Sequence, residues 1–518
     1  MPKVKSSVLF DLIQRMSKSE KRRFKLIAQS SNGEEKLFVQ LFDVIEKMST
    51  FDESLIIKKI PRLKKSQLPN MKAHLLKHLL INLRHLHIPI KVDIEIRDLM
   101  DYARVYYSKG MYRPALQTLE KAKRLAVNHE MNTAYFNCVE FEKKIESQHI
   151  TGSMHQKAED LSEKVEQALH QVNLNNQLSN LALRLYGNYL KHSHVKDQAE
   201  AEDLKRRFES ALPKVAFDDL DFYGKLYFLQ CHAWYCFSAQ DFANYFKYAM
   251  RWVNHYEINP TMIKMETAMY LKGYHNMLNA YFTHNKYVKF AEAYQRFELF
   301  KENYGADLDI NCKRLVENIE WIHGVNRFFL NADFEEGSTY IDTLLEENLS
   351  AIEEWNLHRR LSIFYKIGCI YFVNGRYEDA IEYLNIICNT VYPAFRNDLQ
   401  CFARILNLIC HYDLGNLVLL KYQVKSVYRF LWKLEEMQGV QQAVFDFLRK
   451  IPTMKEHQTD QAFKNLSEIL KEKRTYKYEQ RAFLYLDIVA WLTSKIERKD
   501  LKLVMKDQLK LLKSFREN

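Results

Sequence analysis

The chain has 518 residues and a net charge of +11, and 47% of its residues are hydrophobic, enough for a large buried core. Glycine and proline total only 13 and 9, which excludes a fold of many tight turns and predicts long helices. No run approaches the ~18 apolar residues of a transmembrane helix, and the N-terminus lacks the apolar segment of a signal peptide. These features predict a cytoplasmic protein with no membrane association.

Charge is unevenly distributed along the chain. Residues 1–95 carry a net charge of +9 and residues 450–518 carry +6, whereas the middle of the chain carries −4. We therefore expect residues 1–95 to form a basic module distinct from the rest of the chain.

Hydrophobic periodicity in this N-terminal module predicts a series of helices. Ser17 and Glu20 have the S-x-x-E spacing of a capping box, which predicts a helix start at this point. The predicted helices cover 7–16, 17–29, 34–48, 52–60 and 70–87.

The basic residues of this module have two interpretations. The helices over 52–60 and 70–87 could form a helix-turn-helix unit, in which clustered cations contact nucleic-acid phosphates. Alternatively, the charged faces are solvated or contact protein. The candidate nucleic-acid contacts are Lys21, Arg22, Arg23, Lys25, Lys64 and Lys65.

A repeat begins after this module. The stretches YYSKGMYRPALQTL (106–119) and YFVNGRYEDAIEYL (371–384) align in 34-residue windows that start at Ile96 and Leu361. Both windows have small residues at positions 8 and 20, where two helices approach closely, and glycine at position 15, where the first helix ends. Apolar residues at positions 17, 20, 24 and 27 form the buried stripe of the second helix. Weaker copies start at Leu226, Tyr270, Asn318 and Cys401, at intervals of 40 to 48 residues.

This pattern resembles the tetratricopeptide repeat (TPR), a helix–turn–helix unit of 34 residues. The resemblance implies an all-α protein whose hairpins stack into an α-solenoid over residues 96–440. It also implies that first-helix positions 2, 5, 9, 12 and 13 face a concave groove. The opening of the chain, MSKSEKRRFKL followed by LFDVIEKMSTFDE, is similar to uncharacterised TPR proteins of Bacteroidota, which implies a bacterial protein.

Position 12 is aromatic in all six windows. Such a row could line the groove and bind a peptide or unstacked bases, or it could be packed within the core. Arg104 and Trp234, at position 9, are further candidates for the groove. The position-12 residues are Tyr107, Phe237, Phe282, Phe329, Phe372 and Tyr412.

Two further hairpins and a cap complete the predicted architecture. Residues 131–146 with 156–172 predict one degenerate hairpin, and 179–192 with 200–212 predict another. Residues 441–518 are expected to supply capping helices, at 462–474, 481–497 and 501–515, because a terminal repeat needs a polar outer face.

The sequence contains no phosphate-binding loop, dinucleotide fingerprint or nucleophile elbow. His74, His78 and His85 could ligate zinc, but a solvated helix face is the better interpretation. Cys231 and Cys236 are better interpreted as buried thiols than as metal ligands. Accordingly, no catalytic, metal or cofactor site is predicted.

We therefore expect a non-enzymatic scaffold or adaptor that binds a protein or peptide in the groove. The alternative is a nucleic-acid-associated regulator, with a basic N-terminal module and a TPR sensor region. A scaffold within a large bacterial assembly is a third possibility.

Overall fold

A computed structural model shows that the chain is helical throughout the residues it describes. No β-strand is present in those residues, so the predicted all-α class is confirmed. The chain divides into two compact units, which meet in sequence at Val172 and Asn173. The boundaries predicted at 95/96 and 440/441 stay predictions, and the first repeat window falls in the same unit as the N-terminal helices. The described residues are 2–29, 35–87, 91–148, 154–353, 355–390, 396–434, 439–483 and 486–517.

The first unit begins with five helices around one apolar core, to which Leu9, Phe42 and Leu75 contribute fully buried side chains. The predicted capping box is present, because Ser17 Oγ accepts from the Glu20 N–H at 3.2 Å and Glu20 Oε2 accepts from the Ser17 N–H at 2.7 Å. The helices of this unit are α1 (Pro2–Arg15), α2 (Lys18–Gln29), α3 (Glu35–Glu46), α4 (Glu53–Lys59), α5 (Leu68–His87), α6 (Val92–Ser108), α7 (Tyr112–Asn128), α8 (Asn132–Glu146) and the first half of α9 (Met154–His192).

Helix α9 corrects one prediction. The sequence predicted separate helices over 156–172 and 179–192, but the structure has one continuous helix of 39 residues. The intervening residues 173–178 (NLNNQL) contain no glycine or proline to end the helix. Two of them, Leu174 and Leu178, are buried. The division between the two units therefore falls inside α9.

The second unit is a series of helical hairpins in which each pair packs against the next in chain order. Its helices are the rest of α9, α10 (Gln198–Ala211), α11 (Phe222–Ser238), α12 (Phe242–Glu257), α13 (Pro260–Met265), α14 (Thr267–Thr283), α15 (Tyr287–Tyr304), α16 (Ile310–Asn331), α17 (Phe334–Glu353), α18 (Leu357–Val373), α19 (Tyr377–Cys388), α20 (Asn397–Asp413), α21 (Leu417–Leu434), α22 (Gly439–Lys450), α23 (Glu456–Lys473), α24 (Ile488–Glu497) and α25 (Leu501–Glu517).

The six repeat windows correspond to six hairpins that share one turn geometry. At each turn one residue has a left-handed backbone, and the N–H that follows it donates to the carbonyl five residues earlier, as from Arg376 to Tyr371 at 2.9 Å. This is a Schellman closure, which ends a helix sharply. In the third hairpin the left-handed residue is Asn285, so that window begins at Leu271 and not at Tyr270. The six left-handed residues are Gly110, Gln240, Asn285, Ala332, Gly375 and Gly415.

The small residues predicted at positions 8 and 20 lie between paired helices. A Cβ atom added to Gly368 on α18 would lie 3.0 Å from Cδ2 of Leu384 on α19. Ala103, Ala115 and Ala380 are fully buried at the equivalent contacts. Larger side chains at these positions would force the helices apart.

The last four helices continue the core of the final hairpins. Trp491 on α24 is buried, and its Nε1–H donates to Asp413 Oδ2 at the end of α20, at 3.1 Å. The predicted helix over 481–497 is shorter, because the described part begins at Ile488 after a 3₁₀ turn; residues 484–485 lie outside the described residues. Near this turn, the carbonyl of Tyr478 accepts from Gln240 Nε2 at 3.4 Å. The C-terminal segment therefore contacts the turn between α11 and α12.

Across the described helices, none combines the length and the apolar character needed to cross a bilayer.

Candidate functional site

A cavity of about 550 Å³ lies inside the second unit. Its size falls within the range of small-molecule and peptide-segment sites. Side chains from α9, α11, α12, α14, α16, α18 and α20 line it, together with Arg396 directly before α20. Because these elements are far apart in sequence, the cavity depends on how the helices from α9 to α20 pack together.

One wall of the cavity is aromatic. Tyr186 and Tyr189 on α9 face Trp234 and Phe237 on α11, with ring centroids 4.6 Å apart for Tyr186 and Trp234 and 5.1 Å apart for Tyr189 and Phe237. Tilted and edge-to-face contacts at these distances are favourable. The wall therefore offers a preformed apolar surface to the planar or apolar part of a ligand.

The same wall reaches across the cavity to α18 and the start of α20. The ring of Tyr189 lies 5.8 Å from that of His358, and the Arg396 guanidinium lies 5.6 Å above Tyr189. These contacts join α9 to α18 and to the start of α20. Residues of α9, α18 and the start of α20 therefore border the cavity together.

The cavity also has a cationic wall. Lys272 on α14 and Arg359 on α18 line it, and no Asp or Glu is among the described residues that line the cavity. The Lys272 side chain is exposed, but desolvation by the surrounding protein lowers its pKa, and the charge of Arg359 lowers the pKa further. Burial also lowers the pKa of Arg359. The wall therefore carries positive charge that no lining carboxylate neutralises.

A hydrogen-bonded relay connects a buried lysine to this wall. Lys366, which is 2% exposed, donates to Asn326 Oδ1 at 2.5 Å, and Asn326 Nδ2 lies 3.1 Å from His323 Nδ1. His323 Nε2 lies 2.9 Å from His275 Nδ1. An amide nitrogen can only donate, so His323 accepts at Nδ1 and donates from Nε2. His275 then accepts at Nδ1 and carries its proton on Nε2, where it is available as a donor to the cavity.

The relay requires neutral imidazoles, and the electrostatics favours them. Burial, with the charges of Arg359 and Lys366, lowers the pKa of His275 to about 3. Burial likewise keeps the pKa of His323 well below its usual range. Both rings are therefore neutral near pH 7.

His358 has the same tautomer for a separate reason. The Arg396 Nη1–H group donates to His358 Nδ1 at 2.8 Å, and Arg396 is fixed by a buried ion pair with Asp398, with Nε to Oδ1 at 2.8 Å. Burial and the charge of Arg396 keep the pKa of His358 well below its usual range. The proton of His358 is therefore on Nε2, as in His275.

The N-terminus of α18 also opens on the cavity. Asn356 caps this helix by accepting from the Arg359 N–H at 3.0 Å, and Asn356, His358 and Arg359 all line the cavity. A helix N-terminus carries partial positive charge. The cap, the cations and the two imidazoles thus form one electropositive wall.

The predicted groove residues occupy different environments. Trp234 and Phe237, at positions 9 and 12 of their window, line the cavity. Phe282 and Phe372 are 2% and 1% exposed, which favours the core interpretation for these two. Phe329 is half-buried, and its ring lies 5.9 Å from Phe334 in the next helix.

The other candidates are not among the residues that line the cavity. In the first unit, Tyr107 is half-buried 5.6 Å from the ring of Phe141, and exposed Arg104 pairs with Asp101 at 3.4 Å. In the second unit, Tyr412 is half-buried 6.2 Å from the ring of Trp491. Within the second unit, Phe282 and Phe329 contact each other, with ring centroids 6.4 Å apart, whereas Phe237 lines the cavity.

Sequence reasoning did not identify the cationic wall, although a signal for it exists. In the window that begins at Leu271, the groove positions 2 and 5 are Lys272 and His275. The same positions in the window from Leu226 select Tyr227 and Gln230, which also line the cavity. Arg359 precedes its window and could not be found in this way.

The candidate nucleic-acid contacts lie in the first unit. Lys25 pairs with Asp43 and Glu46, each at 2.7 Å, and Lys21 lies 3.6 Å from Glu46. Arg22, Arg23, Lys64 and Lys65 are exposed. The connection between α4 and α5 spans residues 60–67, which is longer than the three- or four-residue turn of a helix-turn-helix motif.

The residues considered as metal ligands have other surroundings. The rings of His74 and His78 lie 6.4 Å and 5.4 Å from that of Phe38. Burial raises the pKa of both Cys231 and Cys236 to about 12, as expected of inert thiols. Within the described ranges, no three His, Cys, Asp or Glu side chains are placed to hold a metal ion.

No protein-family model, curated protein or solved structure matches this chain.

Proposed function

We propose that the protein is a non-enzymatic interaction protein of the TPR superfamily, whose second unit is a TPR-like α-solenoid that holds a segment of a protein partner in its cavity. Six hairpins with the same Schellman turn, packed in chain order, support the TPR-like architecture. Contact between the final helices and the last hairpins supports their role as a cap.

The cavity is the observation that carries the proposal. It combines an aromatic wall with convergent polar groups, the arrangement expected of a recognition site. Trp234 and Phe237 lie at repeat positions that face the groove in the implied solenoid, and both line this cavity. A cavity of about 550 Å³ suits a short segment of a partner rather than a folded surface.

The protonation of the two lining histidines favours binding over catalysis. Protein donors occupy Nδ1 of both His275 and His358, so neither ring offers a free base to a ligand. General base catalysis needs a group that can accept the proton of its substrate. As arranged, both rings serve as fixed hydrogen-bond donors.

Site-specific photocrosslinking tests the proposal. A photoreactive amino acid at Leu183, which is 69% exposed and lines the cavity, should form an adduct with a partner polypeptide in cells. The matched control is the same amino acid at Val418, which is 76% exposed on α21 away from the cavity. Adducts of equal yield at both positions, or at 418 alone, would overturn the assignment of the cavity.

Nucleic-acid binding by the first unit is the second candidate. Four exposed cations, Arg22, Arg23, Lys64 and Lys65, favour it, whereas the ion pairs of Lys21 and Lys25 and the long α4–α5 connection do not. This candidate is tested by measuring how much DNA and RNA the full chain retains as the salt concentration is raised. Binding through these cations should weaken steeply with salt and with the double substitution Arg22→Gln/Arg23→Gln; no retention at low salt excludes it.

A further inference from the structure

Two cations of the cavity, Lys272 and Arg359, are not paired with any described carboxylate. No Asp or Glu is among the described residues that line the cavity, and the charge of Arg359 is one reason why the pKa of Lys272 is lowered. Holding two positive charges near each other in a partly desolvated space is unfavourable. A ligand that brings negative charge between them would remove this cost.

The neutral groups around these cations are donors as well. His275 and His358 each present an Nε2–H group, as their Nδ1 contacts require. The N-terminus of α18, seventeen residues long, adds its partial positive charge at the same wall. A group bound here must therefore accept several hydrogen bonds from different directions.

We infer that the cavity binds its ligand through a dianionic phosphate-monoester group, held by Lys272 and Arg359 and by the Nε2–H groups of His275 and His358. A phosphate monoester has up to two negative charges and three terminal oxygens, which match two cations and several converging donors. A single carboxylate would balance only one of the cations. The inference rests on the proposed function for the choice of cavity and adds the chemistry of the ligand.

The aromatic wall defines the rest of the ligand. The rings of Tyr186 and Trp234, on α9 and α11, line the cavity together with the cationic residues of α14 and α18, and Tyr186 interacts electrostatically with Arg359. A planar or apolar group attached to the phosphate would pack on this surface. The phosphate could belong to a free small molecule or to a phosphorylated side chain of a partner, and both would present the same group.

Phenyl phosphate is the direct probe, and benzenesulfonate is its matched control. Both compounds carry a tetrahedral anionic group on a benzene ring. The phosphate has up to two negative charges, whereas the sulfonate has one. Isothermal titration calorimetry with the purified full chain at pH 7.5 should show saturable binding of phenyl phosphate and at least about tenfold weaker binding of benzenesulfonate. Arg359→Gln and Lys272→Gln should each weaken phenyl phosphate binding by about tenfold or more.

Arg360→Gln is the control variant, since Arg360 is the next residue on α18 and does not line the cavity. Its affinity for phenyl phosphate should equal that of the wild type. Arg359→Lys keeps the charge and should recover part of the binding that Arg359→Gln loses. The melting temperature of every variant, measured without ligand, establishes that it is folded.

Three results would overturn the inference: no saturable binding of phenyl phosphate up to ~10 mM, equal affinity for benzenesulfonate, or equal affinity in folded Arg359→Gln. A tripeptide with a central phosphotyrosine distinguishes the two sources. Binding as tight as that of phenyl phosphate supports the inference with a phosphorylated partner, and weaker binding supports it with a free small molecule.

The outcomes separate this inference from the proposed function. If a polypeptide is crosslinked from position 183 but phenyl phosphate does not bind, the cavity is still supported as the partner site. Only the inference of a dianionic ligand is then overturned. Phenyl phosphate binding that depends on Arg359, without a polypeptide adduct, would support the dianion and overturn the protein partner.

Discussion

Nε2 of His323 lies 2.9 Å from Nδ1 of His275, and this contact joins an imidazole with no exposed surface to one that lines the cavity. Together with Asn326 and Lys366 it orders the protons of the relay in one direction, towards the cavity. A change made deep in the core should therefore alter the donor that the cavity presents.

Asn326→Asp should reverse the relay. A carboxylate cannot donate to His323 Nδ1, so His323 would carry its proton there, accept at Nε2 and require His275 to donate from Nδ1. Long-range proton–nitrogen NMR of histidine-labelled protein should show His275 protonated at Nε2 in the wild type and at Nδ1 in the variant. The same tautomer of His275 in both proteins would contradict the relay.

Lys366 should make stability depend on pH. Burial, to which the charge of Arg396 adds, lowers the pKa of Lys366 from 10.5 to about 7. Between these values the unfolded chain binds a proton that the folded chain does not, so the free energy of unfolding should rise with pH, by at most about 1.4 kcal/mol per pH unit from this group. Nearby Cys369 stays protonated in most of this window, because burial raises its pKa to about 12.

The measurement is urea denaturation of the wild type and of Lys366→Met at pH 7 to 10. Other titrating groups are common to both proteins, so their difference isolates Lys366. The wild type should gain stability relative to Lys366→Met as the pH rises. A difference that is constant or shrinks over this range would show that Lys366 keeps its ordinary pKa.

Phe372 and Phe237 both occupy position 12 but should respond differently to truncation. Phe372 is 1% exposed, so Phe372→Ala should lower the free energy of unfolding by about 3–5 kcal/mol. Phe237 is half-buried and lines the cavity, so Phe237→Ala should cost less stability and should weaken ligand binding. Denaturation and phenyl phosphate titration of both variants check this, and equal losses of stability would contradict the distinction.

Gly375 and Ala332 test the turn geometry. Gly375 has φ of +74°, and an added Cβ would meet no atom within 4 Å, so Gly375→Ala should cost about 1–2 kcal/mol from the backbone alone. Ala332 has φ of +55° at the equivalent turn. Ala332→Gly should therefore leave the free energy of unfolding unchanged or raise it, because glycine adopts this conformation without steric cost.

Melting temperatures of these two variants provide the measurement. Destabilisation of Ala332→Gly by as much as Gly375→Ala would mean that the turns do not depend on left-handed conformations.

The hairpins could be predicted from sequence because their determinants are local. Gly110, Gly375 and Gly415 mark the left-handed turns directly, and small residues such as Ala380 mark the closest helix contacts. Turns at Gln240, Asn285 and Ala332 lack the glycine signal, so only the spacing of their apolar residues revealed them. The continuous helix α9 was missed because an interruption was inferred where the sequence has no helix-breaking residue.

The cavity could not be predicted in the same way. It depends on contacts such as that of Tyr189 with His358, which join helices far apart in the chain. The way in which successive hairpins pack decides whether these residues meet, and that depends on many small packing contacts. The aromatic residues at position 12 also look alike in sequence, although Phe372 is buried in the core and Phe237 lines the cavity.

Parallel affinity purification of the wild type, Ser179→Trp and Ser210→Trp, quantified by mass spectrometry with and without nuclease, tests the role of the cavity most directly. Ser179 lines the cavity, so tryptophan would fill part of it, whereas Ser210 is exposed on α10 away from it. A partner that copurifies with the wild type and with Ser210→Trp should be depleted at least about tenfold with Ser179→Trp, independently of nuclease. Equal recovery with all three folded proteins would contradict the account.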